Sequence, residues 1–139
     1  MAWDHKYTLL CDDVRREDNG KLIVLGLYFG IITVQQFPAI LPSLTVLSVF
    51  NADRPSNSPF TIRVQRLENG RTIFEAQGFA PVVQPGPVVM PVKVAPVRFD
   101  ESGSYNITTE INSQTGQIVS EFAVVLNPQL GPQPPFRSR

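Results

Sequence analysis

One hundred and thirty-nine residues with 12 Lys plus Arg against 12 Asp plus Glu make a domain-length chain of zero formal charge, with no global field to draw in nucleic acid or an anionic membrane. A hydrophobic fraction of 42% excludes wholesale disorder, and thirteen prolines and nine glycines exclude long helices. Val, Ile and Thr outnumber Ala, Leu, Glu and Lys, a balance that suits pleated strands.

The first six residues carry no basic stretch followed by an apolar one, so no signal peptide is read there. A first strand is predicted over 5–11, with His5, Tyr7, Leu9 and Cys11 on one face. Residues 12–20 read as a charged loop closed by Asn19-Gly20. Segment 21–34 is apolar on both faces. Ile23, Leu25, Leu27, Phe29 and Ile31 form one side, and Leu22, Val24, Tyr28, Ile32 and Val34 the other. Gly26 and Gly30 mark a bend, so two strands, 21–27 and 29–35, are expected to turn a corner between sheets. The apolar run 22–32 is only about two-thirds of the shortest membrane helix.

Residues 37–42 form an extended connector and 44–50 a strand. Strand 60–67 points Phe60, Ile62 and Val64 inward. Asn69-Gly70 reads as the two-residue type I′ tip of a hairpin to strand 71–79, with Phe74 and Ala76 inward. A proline-rich connector, 81–87, leads to strand 88–99, which Pro91 and Pro96 confine to an edge or a break; past Pro96 the inward set switches to Val97 and Phe99. Strand 103–111 alternates cleanly, residues 112–116 turn, and strand 117–126 returns with Ile118, Phe122, Val124 and Leu126 inward. The fold class is therefore all-β: an antiparallel sandwich of seven to nine strands, with a small closed barrel as runner-up. One domain spans 1–126 and a proline-rich tail spans 127–139. The predicted core is Tyr7, Leu9, Ile23, Leu25, Leu27, Phe60, Ile62, Val64, Phe74, Val92, Val94, Phe99, Tyr105, Ile107, Phe122 and Val124.

Two stretches carry resemblances. Glu101-Ser102-Gly103-Ser104-Tyr105-Asn106-Ile107 resembles the start of a strand in immunoglobulin-like domains, where the tyrosine hydroxyl ties the preceding corner to the strand. Ile107 stands where antibody domains carry a disulfide cysteine. Cys11-Asp12-Asp13-Val14-Arg15, Asn19-Gly20-Lys21, Gly26-Leu27-Tyr28 and Phe37-Pro38-Ala39-Ile40-Leu41-Pro42 together resemble a family of small bacterial proteins of unknown function with an immunoglobulin-like sandwich. That resemblance covers about residues 9–44. It implies the fold and a bacterial source, and it supplies no catalytic residues.

Catalytic material is sparse. Cys11 and His5 lie about 20 Å apart along a strand, too far to share a proton. A Ser–His–Asp triad would rest on His5 alone, and no nucleophile elbow is present. One His and one Cys fall short of a zinc site. Asp12, Asp13, Glu17 and Asp18 are the candidates for a carboxylate-based or metal-assisted enzyme, but Arg15, Arg16 and Lys21 neutralise most of their charge. The glycines of the apolar segment lack the following helix of a phosphate loop, and Arg54, Arg63, Arg66, Arg71 and Arg98 are too dispersed for a nucleic-acid surface. Asn106-Ile107-Thr108 matches a glycosylation acceptor, without meaning where no export signal is read, and Pro132-Gln133-Pro134-Pro135-Phe136-Arg137 fits a short Pro-rich ligand pattern common in such tails.

The expected function is a non-enzymatic binding or assembly module without cofactor or metal, acting in the cytoplasm through a protein partner or a second copy, not through nucleic acid or membrane. The lone cysteine, unable to form an internal disulfide, agrees with that compartment. The alternatives are the carboxylate enzyme and a small structural component of a phage or secretion assembly. The two-faced segment supplies the candidate interaction surface. A sandwich strand buries one face, so Leu22, Val24, Tyr28, Ile32 and Val34 need a cover, either another chain in a homodimer or a sheet switch at Gly26 or Gly30. Calcium, magnesium or zinc is expected to leave the melting temperature unchanged. A ligand at a hundred times its dissociation constant would add about 2.7 kcal/mol, so a reproducible shift of several degrees would restore the 12–18 carboxylates as a metal site.

Overall fold

The apolar segment 21–34 does divide. Gly30 takes the left-handed φ of +81° that a non-glycine residue resists, and the chain leaves one sheet for another there. The computed structural model describes residues 3–112 and 117–129. They form eleven strands: β1 (Trp3–Arg16), β2 (Leu22–Tyr28), β3 (Ile31–Val34), β4 (Ala39–Leu41), β5 (Leu44–Ala52), β6 (Ser56–Arg66), β7 (Thr72–Val82), β8 (Gly86–Val94), β9 (Val97–Phe99), β10 (Gly103–Ile111) and β11 (Gln117–Leu126). A four-stranded sheet runs β2-β1-β5-β8, a five-stranded sheet runs β3-β11-β10-β6-β7, and β4 pairs with β9. Only β3 and β11 are parallel, with Ile32 beside Val124. Among the described residues no helix is long and apolar enough to cross a membrane.

The strand count exceeds the expected seven to nine for two reasons. The 88–99 stretch breaks at Pro96 into β8 and β9, and the 37–42 connector contributes β4 as a partner for β9. Pro91 lies on the edge strand β8, where its missing N–H costs no ladder bond. Residues 12–16, read as loop, instead extend β1, because 22–28 pairs back on them and leaves only 17–21 as the turn. The paired backbone outweighs the poor strand preference of Asp12 and Asp13. Residues 113–116, and residues 130–139 of the proline-rich tail, lie outside the described residues.

The core lies between the two sheets. Leu10, Leu44, Val46, Phe50 and Met90 face it from the four-stranded sheet, and Ile32, Ile62, Val64, Tyr105, Ile107, Phe122 and Val124 from the five-stranded one. Phe99 and Tyr105 meet edge to face with centroids 5.2 Å apart, and Tyr105 stacks on Phe122 at 5.4 Å. The Tyr105 hydroxyl donates to the Glu101 carbonyl, the corner tie that the immunoglobulin-like resemblance implies. Arg66 braces the same corner. Its Nη2 donates to the Ser102 carbonyl at 2.8 Å, and its Nη1 pairs with Glu101 at 2.8 Å.

Five of the expected core residues belong elsewhere. Tyr7, Ile23, Leu25 and Leu27 are exposed, and Leu9 is half-buried outside the core cluster. The register shift at Ile107/Thr108 also changes which β11 side chains turn inward. Val119 is buried there; Leu126, expected inside, is about half exposed as the last residue of β11, and the Ile118 side chain lies outside the described residues.

The hairpin between β6 and β7 is present, but its turn is 67–71 and not type I′. Only Gly70 has positive φ, +70°. Asn69 acts through its side chain, its Oδ1 accepting from Arg71 N–H at 3.0 Å, while Gly70 N–H donates to the Arg66 carbonyl at 2.8 Å. A side chain at position 70 would meet nothing within 4 Å, so Gly70→Val isolates the backbone cost. That variant is expected to lose about 1 kcal/mol or more in urea denaturation, with Gly70→Asn milder. Equal stability of all three proteins would contradict the assigned turn.

Candidate functional site

Segment 21–34 presents its faces opposite to the expected way. Ile32 and Val34, placed on the candidate interaction surface, are 1% and 6% exposed and belong to the core. Tyr28 packs against that core, and Leu22 and Val24 are half-buried on the same side of β2. The exposed set is the other one: Ile23, Leu25, Leu27 at 39%, Phe29 at 88%, and Ile31. The chain changes sheets between β2 and β3 without changing parity, so even-numbered residues point inward on both sides of the corner. Leu22, Val24, Tyr28, Ile32 and Val34 are therefore not a free surface.

Cross-strand register extends the exposed set into a face, because paired residues share one side of a sheet. Val89, Val49 and Tyr7 form one row of the four-stranded sheet; Pro91, Leu47 and Leu9 form the next. Lys93, Thr45, Cys11 and Leu27 form a third row, and Asp13 with Leu25 and Arg15 with Ile23 complete the end. This side is opposite the one that carries Leu10, Val46 and Met90 into the core. Leu47, Val49 and Cys11 on this side are buried. The middle of the five-stranded sheet's outer face differs: Arg63 pairs with Glu75 at 2.9 Å, Thr61 faces Gln77, and Gln65 faces Asn106, with exposed Ile31, Val125 and Phe79 on its flanks.

The acidic candidates do not converge. Asp12 points to the inner side of β1, where its Oδ1 accepts from the Tyr28 hydroxyl at 2.9 Å; its carboxylate fills the space that a Cβ on Gly26 would occupy. Asp13 points to the outer side. It accepts from Val14 N–H at 2.9 Å, and Lys93 and Arg15 each stand 3.5 Å away. The Val14 N–H, with the Lys93 and Arg15 charges behind it, holds the Asp13 carboxyl below the usual range. Glu17 and Asp18 are exposed at the 17–21 turn. Among the described residues no three His, Cys, Asp or Glu side chains gather where they could hold a metal ion.

Cys11 is fully buried, its Sγ near the carbonyls of Asp13 at 3.6 Å and Thr45 at 3.8 Å. Burial pushes the thiol up, as do the charges of Asp12 and Asp13, so it is a poor nucleophile. His5 pairs with Phe50 near the start of β1, its Nε2 2.8 Å from Thr8 Oγ1; burial lowers its pKa. One cavity, of about 560 Å³, opens between β7 and β8 and is lined by Phe60, Phe79, Val82, Val88, Met90 and Arg16 among others. Sequence periodicity held no sign of it, because the cavity arises where β7 and β8 end their respective sheets.

Residues 6–120 match a family described as "Family of unknown function (DUF6941)". No curated protein matches the chain.

Tyr28 offers a pH test of the inward placement. Burial first, then the hydrogen bond to Asp12 and its charge, push the Tyr28 phenol from 10.0 up to about 12. A folded value above the unfolded one means that this contribution is full below about pH 10 and is lost as pH rises towards about 12. Tyr28→Phe is expected to flatten the fall of melting temperature across that window. Equal slopes in the variant and the parent would contradict the placement.

Proposed function

The chain belongs to this family of unknown function, DUF6941, and we propose that it is a non-enzymatic binding or assembly module whose contact surface is the outer face of the four-stranded sheet. One observation carries the reading. The outer face of the four-stranded sheet gathers exposed apolar side chains from three strands, Tyr7, Ile23, Leu25, Leu27 and Val89, around buried Leu47 and Val49, while the middle of the other sheet's outer face is polar and ion-paired and its exposed Ile31, Val125 and Phe79 stand apart on the flanks. Antiparallel sheets with one solvated face ordinarily alternate apolar and polar, as the five-stranded sheet does. Ile23, Leu25 and Leu27 each keep about two fifths of their surface in water. Covering the rest yields about 1 kcal/mol per side chain, and contiguous apolar surface of this kind marks interaction sites.

A carboxylate enzyme fits the geometry less well, since Asp12 and Asp13 point to opposite sides of β1. A bacterial cytoplasmic setting fits the single cysteine, buried and without a disulfide partner. A role as a structural piece of a phage or secretion assembly would use the same face.

Placing a photo-crosslinking amino acid at Leu27 and, separately, at Thr61 tests the reading in cells that express the protein. Adducts are expected from position 27 and not from position 61, on the polar face. No adduct at position 27, or equal adducts at both, would reject the outer face as the contact surface.

A further inference from the structure

Resting on that reading, we propose that the occupant of the outer face is a second copy of this chain, seated sheet against sheet in a two-fold dimer. Area and charge support it. Four strands about 4.8 Å apart, with rows from Tyr7 to Asp13 at about 3.3 Å per residue, give a footprint of roughly 500 Å² per copy once side-chain margins are added. The pair then buries about 1,000 Å², the lower bound for a specific interface and the size of a weak, concentration-dependent one.

The charge pattern suits a copy better than a charged partner. The chain has zero formal net charge, so two copies approach without long-range repulsion. The face itself offers no field to attract an acidic or basic surface. Its charged side chains lie at its two ends and are already paired within the chain, Asp13 with Lys93 and Arg15 at one and Asp4 with Lys6 at the other. Lys93 lies on the edge strand β8, at a corner of the face. Leu9 and Leu47, at the centre, pair with each other and with Pro91, between the Tyr7–Val49–Val89 row and the Cys11–Thr45–Lys93 row. Isologous packing of this kind is the commonest closed assembly, and sheet-on-sheet packing is how the same β5 strand is already covered on its inner side.

Sedimentation of the full-length protein at micromolar concentration tests the proposal. The expected species has twice the 15.4 kDa of the chain. Leu27→Glu and Leu25→Lys are each expected to bring it to the mass of one chain with an unchanged circular dichroism spectrum, and Thr61→Glu to leave it dimeric. Two substitutions at exposed positions guard against one of them failing to fold. A parent protein that sediments as a single chain would overturn the dimer, as would a dimer that survives both face substitutions. The crosslink at Leu27 separates the two readings. An adduct to a protein of different mass beside a monomeric parent removes the second copy and keeps the contact face, whereas no adduct at all removes both.

Discussion

Strand β5 is buried on both of its faces from Leu44 to Phe50, and the rest of the molecule is arranged around that demand. Its even-numbered side chains turn to the core, and Thr45, Leu47 and Val49 turn outward and are still covered. The inner cover is the five-stranded sheet. On the outer side Leu47 and Val49 lie between their paired residues, Leu9 and Tyr7 of β1 and Pro91 and Val89 of β8. The buried hydroxyls of β5 are satisfied by β1: Ser48 Oγ lies 3.1 Å from Thr8 Oγ1, and Thr45 Oγ1 donates to the Asp12 carbonyl at 3.3 Å. Without those partners each would carry a desolvation cost of about 1–3 kcal/mol. The long β1 strand is therefore both a sheet neighbour and the source of hydrogen bonds that permits β5 to be buried so completely.

Much of the fold was legible because one face of each strand was polar. Phe60, Ile62 and Val64 against Thr61, Arg63 and Gln65 leave no choice of side, and the core confirms it. Tyr105, Ile107, Phe122 and Val124 follow the same rule, and the inward switch after Pro96 to Val97 and Phe99 is present. Where both faces are apolar, period two determines the alternation but not its sign. Ile23, Leu25 and Leu27 were misplaced for that reason, and Tyr7 because the register shift between His5 and Tyr7 moves the odd-numbered residues of β1 to the outer side. The corner at Gly30 was legible from the glycine itself, but the sign is set by a tertiary partner, here the pairing of 22–28 on 10–16, which no local pattern encodes.

The candidate site shares this division. Strand arithmetic showed that the two-faced segment 21–34 needed a second cover, from another chain or a sheet switch; it did not show which side would be left outside. The contribution of Leu9, Leu47, Val89 and Pro91 to the same face was also hidden, because it depends on the register of three strands distant in sequence. The carboxylates show the opposite failure. Asp12 and Asp13 are adjacent in sequence and looked like a cluster, yet strand alternation sends them to opposite sides once β1 runs through them.

The parallel pairing of β3 with β11 has a consequence for synthesis. Ile32 and Val34 are covered by a strand that ends at Leu126. At roughly 5–20 residues per second, the stretch between them takes on the order of 5 to 20 seconds to emerge. During that interval the ribosome holds a chain whose most apolar segment lacks its partner, with the odd-numbered side chains of β2 uncovered as well. Nascent-chain chaperones would find their best binding stretch there, and an early stop before β11 would release a product with both sides of that segment bare.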